Sequence, residues 1–162
     1  VRFLVQPSPA VLDRARPPVR AFLAFAALLL VGWAASRAAH GALTPEGLAR
    51  ILEPSPGERF GPLALWEEVH QGAFLYGFLL LTVGSLLVVS PVAPALRNAL
   101  VGLATAAALV DLLAPFLPVA WPGFQGWAEL RIGAFALAMA TLLAAVVVAW
   151  ATFGRDARRT GG

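Results

Sequence analysis

The sequence predicts an all-α fold: a four-helix transmembrane bundle running up-down-up-down, with both termini in the cytoplasm. Three observations lead there. The 162 residues are 59% hydrophobic and only 13% charged, with a mean hydropathy of +0.77, whereas soluble domains are roughly half apolar and about a quarter charged. The apolar residues gather into four runs, each near the roughly 20 residues that cross a bilayer. Prolines, glycines and charges separate the runs and leave only short connections, so one domain, residues 21–154, accounts for most of the chain.

Residues 1–20 hold Pro7, Pro9, Pro17 and Pro18 among Arg2, Arg14, Arg16 and Arg20, and this mixture predicts a disordered basic arm. The first span covers about residues 21–39 and reaches Ala39 only if Arg37 snorkels to the interface. Basic residues, an apolar stretch and small residues at 38–42 also fit a secretory signal peptide, so cleavage after this run is an alternative. Thr44-Pro45-Glu46 then reads as a helix start, with a threonine N-cap, proline at the first helical position and an acid in the first turn. A short interfacial helix to about Leu52 follows, and Pro54, Pro56, Gly57 and Pro62 end it.

The second span, about 66–90, opens with the polar turn Trp66-Glu67-Glu68-Val69-His70-Gln71 and ends at Ser90-Pro91. The third, about 95–117, carries one charge, Asp111, and closes at Pro115 and Pro118. Trp121 and Trp127 bracket a turn at headgroup depth. The fourth span, about 129–153, runs into Trp150 and the basic tail 155–162 with Arg155, Arg158 and Arg159. Threading the four spans puts eight arginines on the side of the termini and four on the other, which places the termini inside. A bacterial inner-membrane location follows as the expectation.

Composition also excludes chemistry. Without cysteine there is no disulfide, thiolate metal site or cysteine nucleophile. The arginines flank apolar runs without forming a basic face, so nucleic acid is not an expected partner. No phosphate-binding glycine loop or serine–histidine–acid set occurs.

The candidate polar cluster is Glu67, Glu68, His70, Gln71, Asp111, Glu129 and Arg131, which antiparallel threading brings to one end of the bundle. Asp111 follows Arg97 by 14 residues, about 21 Å of helix, so it lies in the outer third of the bilayer. A carboxylate there needs a partner inside the bundle. Arg131 is the preferred one and His70 the second. Structural clamping and proton relay are both open roles. Glu67, His70 and Gln71 share a helix face, a spacing that can hold a metal, but carboxylate-bridged sites use such a pair twice and here it occurs once, so no metal is expected. No cofactor is expected either; a bis-histidine haem b would have to use His40 and His70. Gly72, Gly77, Gly84 and Gly102 supply small surfaces for helix packing.

Leu43-Thr44-Pro45-Glu46, Trp66-Glu67-Glu68-Val69-His70 and Gly84-Ser85-Leu86-Leu87 together resemble a group of small uncharacterised bacterial inner-membrane proteins with four transmembrane helices, over about residues 40–153. In that group the second span opens Glu-x-x-His-x-His; here Gly72 stands in the place of the second histidine. The resemblance implies topology and no activity. The functional expectation is a non-enzymatic accessory or structural subunit, associated with membrane lipid and with a larger complex, such as an electron-transfer assembly, or with copies of itself. The alternative is a small haem-binding redox or proton-conducting protein using His70 and Asp111.

Overall fold

The computed structural model describes residues 9–52, 62–121 and 123–155, in which helices are joined by short connections and no strand occurs. Its elements are α1 (Pro9–Ala39), α2 (Pro45–Leu52), α3 (Pro62–Val89), α4 (Pro94–Leu113), a 3-10 turn (Ala114–Phe116), α5 (Leu117–Ala120) and α6 (Trp127–Arg155). Among the described residues, four stretches are long and apolar enough to cross a membrane: Ala15–Ala39, Val69–Val89, Pro94–Phe116 and Trp127–Phe153. They match the four expected spans in order. The fold is thus an all-helical bundle with four candidate crossings.

The arm is the main difference. Helix α1 begins at Pro9, so residues 9–20 are helical where the sequence predicts an irregular segment; residues 1–8 lie outside the described chain. Pro17 and Pro18 sit inside this helix and are exposed. Each removes one amide donor, but both fall within the first turn of the crossing, where an unpaired carbonyl is near the headgroup layer and not in hydrocarbon.

Helix α6 is the hub. Half of its apolar window is buried against 17% for α1, and it packs on α4, α1 and α3. The α4–α6 seam is the most extensive. It is built from alanines: Ala104, Ala107 and Ala108 on α4, and Ala134, Ala138, Ala145 and Ala149 on α6, all buried. These recur at helical spacing, and without larger side chains the two backbones approach closely. On α3 the buried row is Gly72, Tyr76, Leu79, Val83 and Leu87. The outer faces are apolar too, with Phe25, Leu28, Phe74, Leu81 and Val147 exposed, as expected of a lipid-facing surface.

Hydroxyls inside the spans are satisfied within their own helices. Ser85 Oγ donates to Leu81 O, Thr105 Oγ1 to Val101 O and Thr141 Oγ1 to Leu137 O, which spares the bilayer core unpaired donors.

Outside the crossings, the α2 start forms as its residues predict. Thr44 Oγ1 accepts the Gly47 amide at 3.1 Å. Gly41 has φ +73°, a conformation glycine adopts without penalty. A Cβ on Gly47 would collide with the Gly41 carbonyl, so the turn requires both glycines.

Candidate functional site

The buried polar centre of the bundle is built by four helices, each supplying one member. Asp111 on α4 is completely buried. It follows Ala104, Ala107 and Ala108 at helical spacing, so the row that packs α4 on α6 also points the carboxylate inward. Arg37 on α1 donates from Nη1 to Asp111 Oδ1 at 2.9 Å. Tyr76 on α3 donates its hydroxyl to Oδ2 at 2.9 Å. Arg131 on α6 places Nε 3.5 Å from Oδ1, within ion-pair range. Both carboxylate oxygens are thereby engaged.

Aromatic rings enclose the pair. The Arg37 guanidinium carbon lies 4.4 Å from the Phe135 ring centre and 5.4 Å from that of Trp33, positions in which the ring faces attract the cation. Trp33 in turn meets Tyr76 and Phe135 edge-on at 4.7 and 5.4 Å. The rings replace water around a charge that hydrocarbon would penalise, while arginine's planar head can stack and donate at once.

The centre lies close to one edge of the crossings. Arg37 is two residues before the end of its span, Asp111 five before the end of its own, Arg131 four after the start and Tyr76 seven after. At about 1.5 Å per residue these positions are roughly 3–11 Å deep. Asp111 thus lies within about 8 Å of one end of its span.

Of the sequence candidates, the structure brings together Asp111 and Arg131. The preferred partner is therefore in contact, but Arg37 is nearer and carries the hydrogen bond. His70 is exposed, and among the described residues no hydrogen bond or ion pair joins it to Asp111. Its geometry explains this. Six residues separate His70 from Tyr76, which at 3.6 per turn puts it about 120° around α3 from the buried row. Gln71 and Glu129 are also exposed. Glu67 and Glu68 stand in the first turns of α3, and their side chains lie outside the described residues. His40 is exposed beyond α1, with Nδ1 2.7 Å from Ser36 O.

Sequence reasoning missed Arg37, Tyr76, Trp33 and Phe135. Arg37 was legible: it shares a side with Asp111 by threading, and reading it as a snorkelling residue hid its second option. Tyr76 stands four residues after Gly72 on the row that continues through Leu79 and Val83, but apolar residues on every side of α3 leave that row unmarked in the sequence.

Of the expected packing glycines, two act. Gly72 is buried, and a Cβ there would lie 2.6 Å from Leu112 Cδ2; a Cβ on Gly84 would lie 3.8 Å from Val101 Cγ2. Gly77 and Gly102 have nothing within 4 Å of theirs. Leu112 thus takes the space that a histidine at position 72 would need.

Four apolar crossings, an apolar outer face and a buried charge centre define a multi-pass integral membrane protein. A family model described as a transmembrane helical domain, Aq_1264_TM, matches residues 58–159, and the chain belongs to this family. The match spans α3, α4 and α6, and so includes Tyr76, Asp111 and Arg131 while leaving out Arg37. No curated protein and no solved structure matches the chain.

Proposed function

We propose that the chain is a non-enzymatic accessory subunit of the bacterial inner membrane, with its termini in the cytoplasm, that acts by docking on a larger membrane assembly. The observation that carries this reading is how the polar groups divide. The buried carboxylate is engaged by three neighbours from three other helices, which suits a structural clamp. His70, Gln71 and Glu129 are exposed at the same end, beside Trp66 and Trp121, which are 59% and 72% exposed. Exposed polar groups among aromatic anchors suit a contact surface better than a reaction centre. An electron-transfer complex is the first class of assembly to look for.

The test is gentle purification from the native host in mild detergent, with mass spectrometry of what accompanies the protein. A stoichiometric set of partners, lost in a His70→Ala/Glu129→Ala variant that still folds, supports the reading. Recovery of the protein alone in every mild detergent defeats it. A reduced-minus-oxidised spectrum of the same sample separates the redox alternative, because haem bands lost in His70→Ala would replace docking by cofactor binding.

A further inference from the structure

On α6, Phe135, Met139 and Val146 form one buried row, and Phe135 meets Trp33 and Arg37 of α1. The same row reaches Ala128, seven residues or about 10 Å before Phe135. Ala128 is only 6% exposed although it is the second residue of α6. The last turn of α1 does not cover it, since Ser36, Ala38 and Ala39 are exposed. After α1 the chain turns at Gly41 and comes back onto α6, the helix on which α2 packs. Leu43 then lies against the bundle core and Leu48 is 2% exposed. The segment 41–48 therefore takes over the α6 row where α1 leaves it.

Arg131 lies one turn inward from Ala128, is itself buried, and places Nε 3.5 Å from the carboxylate of Asp111. What covers Ala128 thus stands between the end of the bundle and the charge centre. Its hold is of a particular kind. Among the described residues, the hydrogen bonds of residues 41–48 stay within the turn or reach the end of α1: Ala42 N donates to Arg37 O at 2.8 Å, Gly41 N to Ala38 O at 3.0 Å and Gly47 N to Thr44 Oγ1 at 3.1 Å. On α6 the segment is held by apolar contact, with Leu48 as its fully buried side chain. A short element fastened by so little buried surface opens locally without unfolding the rest.

We propose that α2 is a hinged lid on the buried carboxylate. Closed, it keeps water from Arg131 and Asp111 through Leu48; open, it admits water to them. The hinge is the turn at Gly41, whose φ is +73°. Because Ala42 is bonded to the carbonyl of Arg37, and the Arg37 side chain holds Asp111, movement of the lid acts directly on the residue that fastens α1. The inference is independent of the docking reading above.

The chain has no cysteine, so single cysteines placed in the full-length protein report water access on a clean background. The probe is sulfonatoethyl methanethiosulfonate, which is charged and stays in water, applied to the protein in mild detergent. Ala128→Cys should react at least about tenfold more slowly than its exposed neighbour Glu129→Cys, as a locally opening element requires. Adding Leu48→Ser should speed Ala128→Cys severalfold, leave Glu129→Cys unchanged, and keep helicity by circular dichroism. Ala145→Cys, buried deep in the bundle, should stay unreactive in both backgrounds. In the parent protein, amides 48–52 should exchange hydrogen faster than amides 131–139. Equal rates at 128 and 129, or no acceleration by Leu48→Ser, overturn the seal. Acceleration at 145 as well would make Leu48 a support of the whole bundle, and equal exchange of the two amide sets would make α2 a fixed part of it; either result overturns the lid.

Discussion

Replacing Asp111 with asparagine keeps the side chain's shape and removes its charge, so it isolates the electrostatic part of the buried centre. Two guanidiniums would then face a neutral amide, one 12% exposed and the other 4%. Removing one partner of a buried pair costs about 3–5 kcal/mol in general. Here the cost is smaller, because Arg37 sits two residues from the end of its span and can swing part of its charge to the headgroups. The expected loss is about 2–3 kcal/mol. Tyr76→Phe removes only the 2.9 Å hydroxyl bond and leaves the ring on Trp33, so it should cost about 0.6 kcal/mol and at most about 1.7, the mean and maximum measured for interhelical hydrogen bonds in a membrane protein. Unfolding in mixed micelles of rising dodecyl sulfate content, followed by tryptophan fluorescence, reads both values. Because the two side chains share one carboxylate, the double variant should be less destabilised than the sum by at least about 0.5 kcal/mol. An Asp111→Asn protein within about 0.5 kcal/mol of the parent, or strict additivity with Tyr76→Phe, would refute the clamp.

Gly84→Ala should stabilise by about 0.5–1 kcal/mol in the same unfolding assay, because its Cβ meets Val101 at an ordinary 3.8 Å beside a small void. Gly72→Ala should instead cost about 1 kcal/mol, the low end of overpacking, since only the Leu112 methyl must move. Gly47→Ala should loosen the α2 turn by about 1–3 kcal/mol, seen as faster hydrogen exchange over 44–52 with little change in global unfolding. Intact-mass analysis of the membrane-extracted protein should find α1 still attached, because Arg37 and Trp33 belong to the buried centre; a mass starting near residues 40–43 would contradict this.

The four crossings were legible because apolar runs of this length have one common solution in a bilayer. The α2 cap was legible because its chemistry is local: Thr44, Pro45 and Gly47 lie within one turn. What threading could supply for the buried centre was the side of the membrane and the depth. What it could not supply was azimuth, the direction each residue faces around its helix. His70 and Tyr76 lie within two turns of each other on one helix, yet one faces outward and the other touches Asp111. Azimuth is set by which rows pack, and uniformly apolar helices reveal little of that in their periodicity. The helical arm was missed for a related reason, since proline was weighed by propensity alone and not by where in the span it falls.

The polar contacts also divide the work of the bundle unevenly. Helices α4 and α6 meet along an alanine seam that fixes their relation by shape. Helix α1 has little such contact, as the small buried share of its crossing shows. In a bilayer there is no hydrophobic gain in moving an apolar helix from lipid to protein, so a thinly packed helix needs other means to hold one position. Arginines near both ends provide them: Arg20 reaches the Phe153 carbonyl and the Trp150 ring of α6, and Arg37 reaches Asp111. Residues 20 and 37 are about 26 Å apart along a helix, so two anchors at that spacing fix both the tilt and the rotation of α1. Between them α1 meets α3 through ring contacts, Phe22 with Phe78 and Trp33 with Tyr76. The clamp is thus one part of an arrangement in which α1 is fastened near both ends and thinly packed between them.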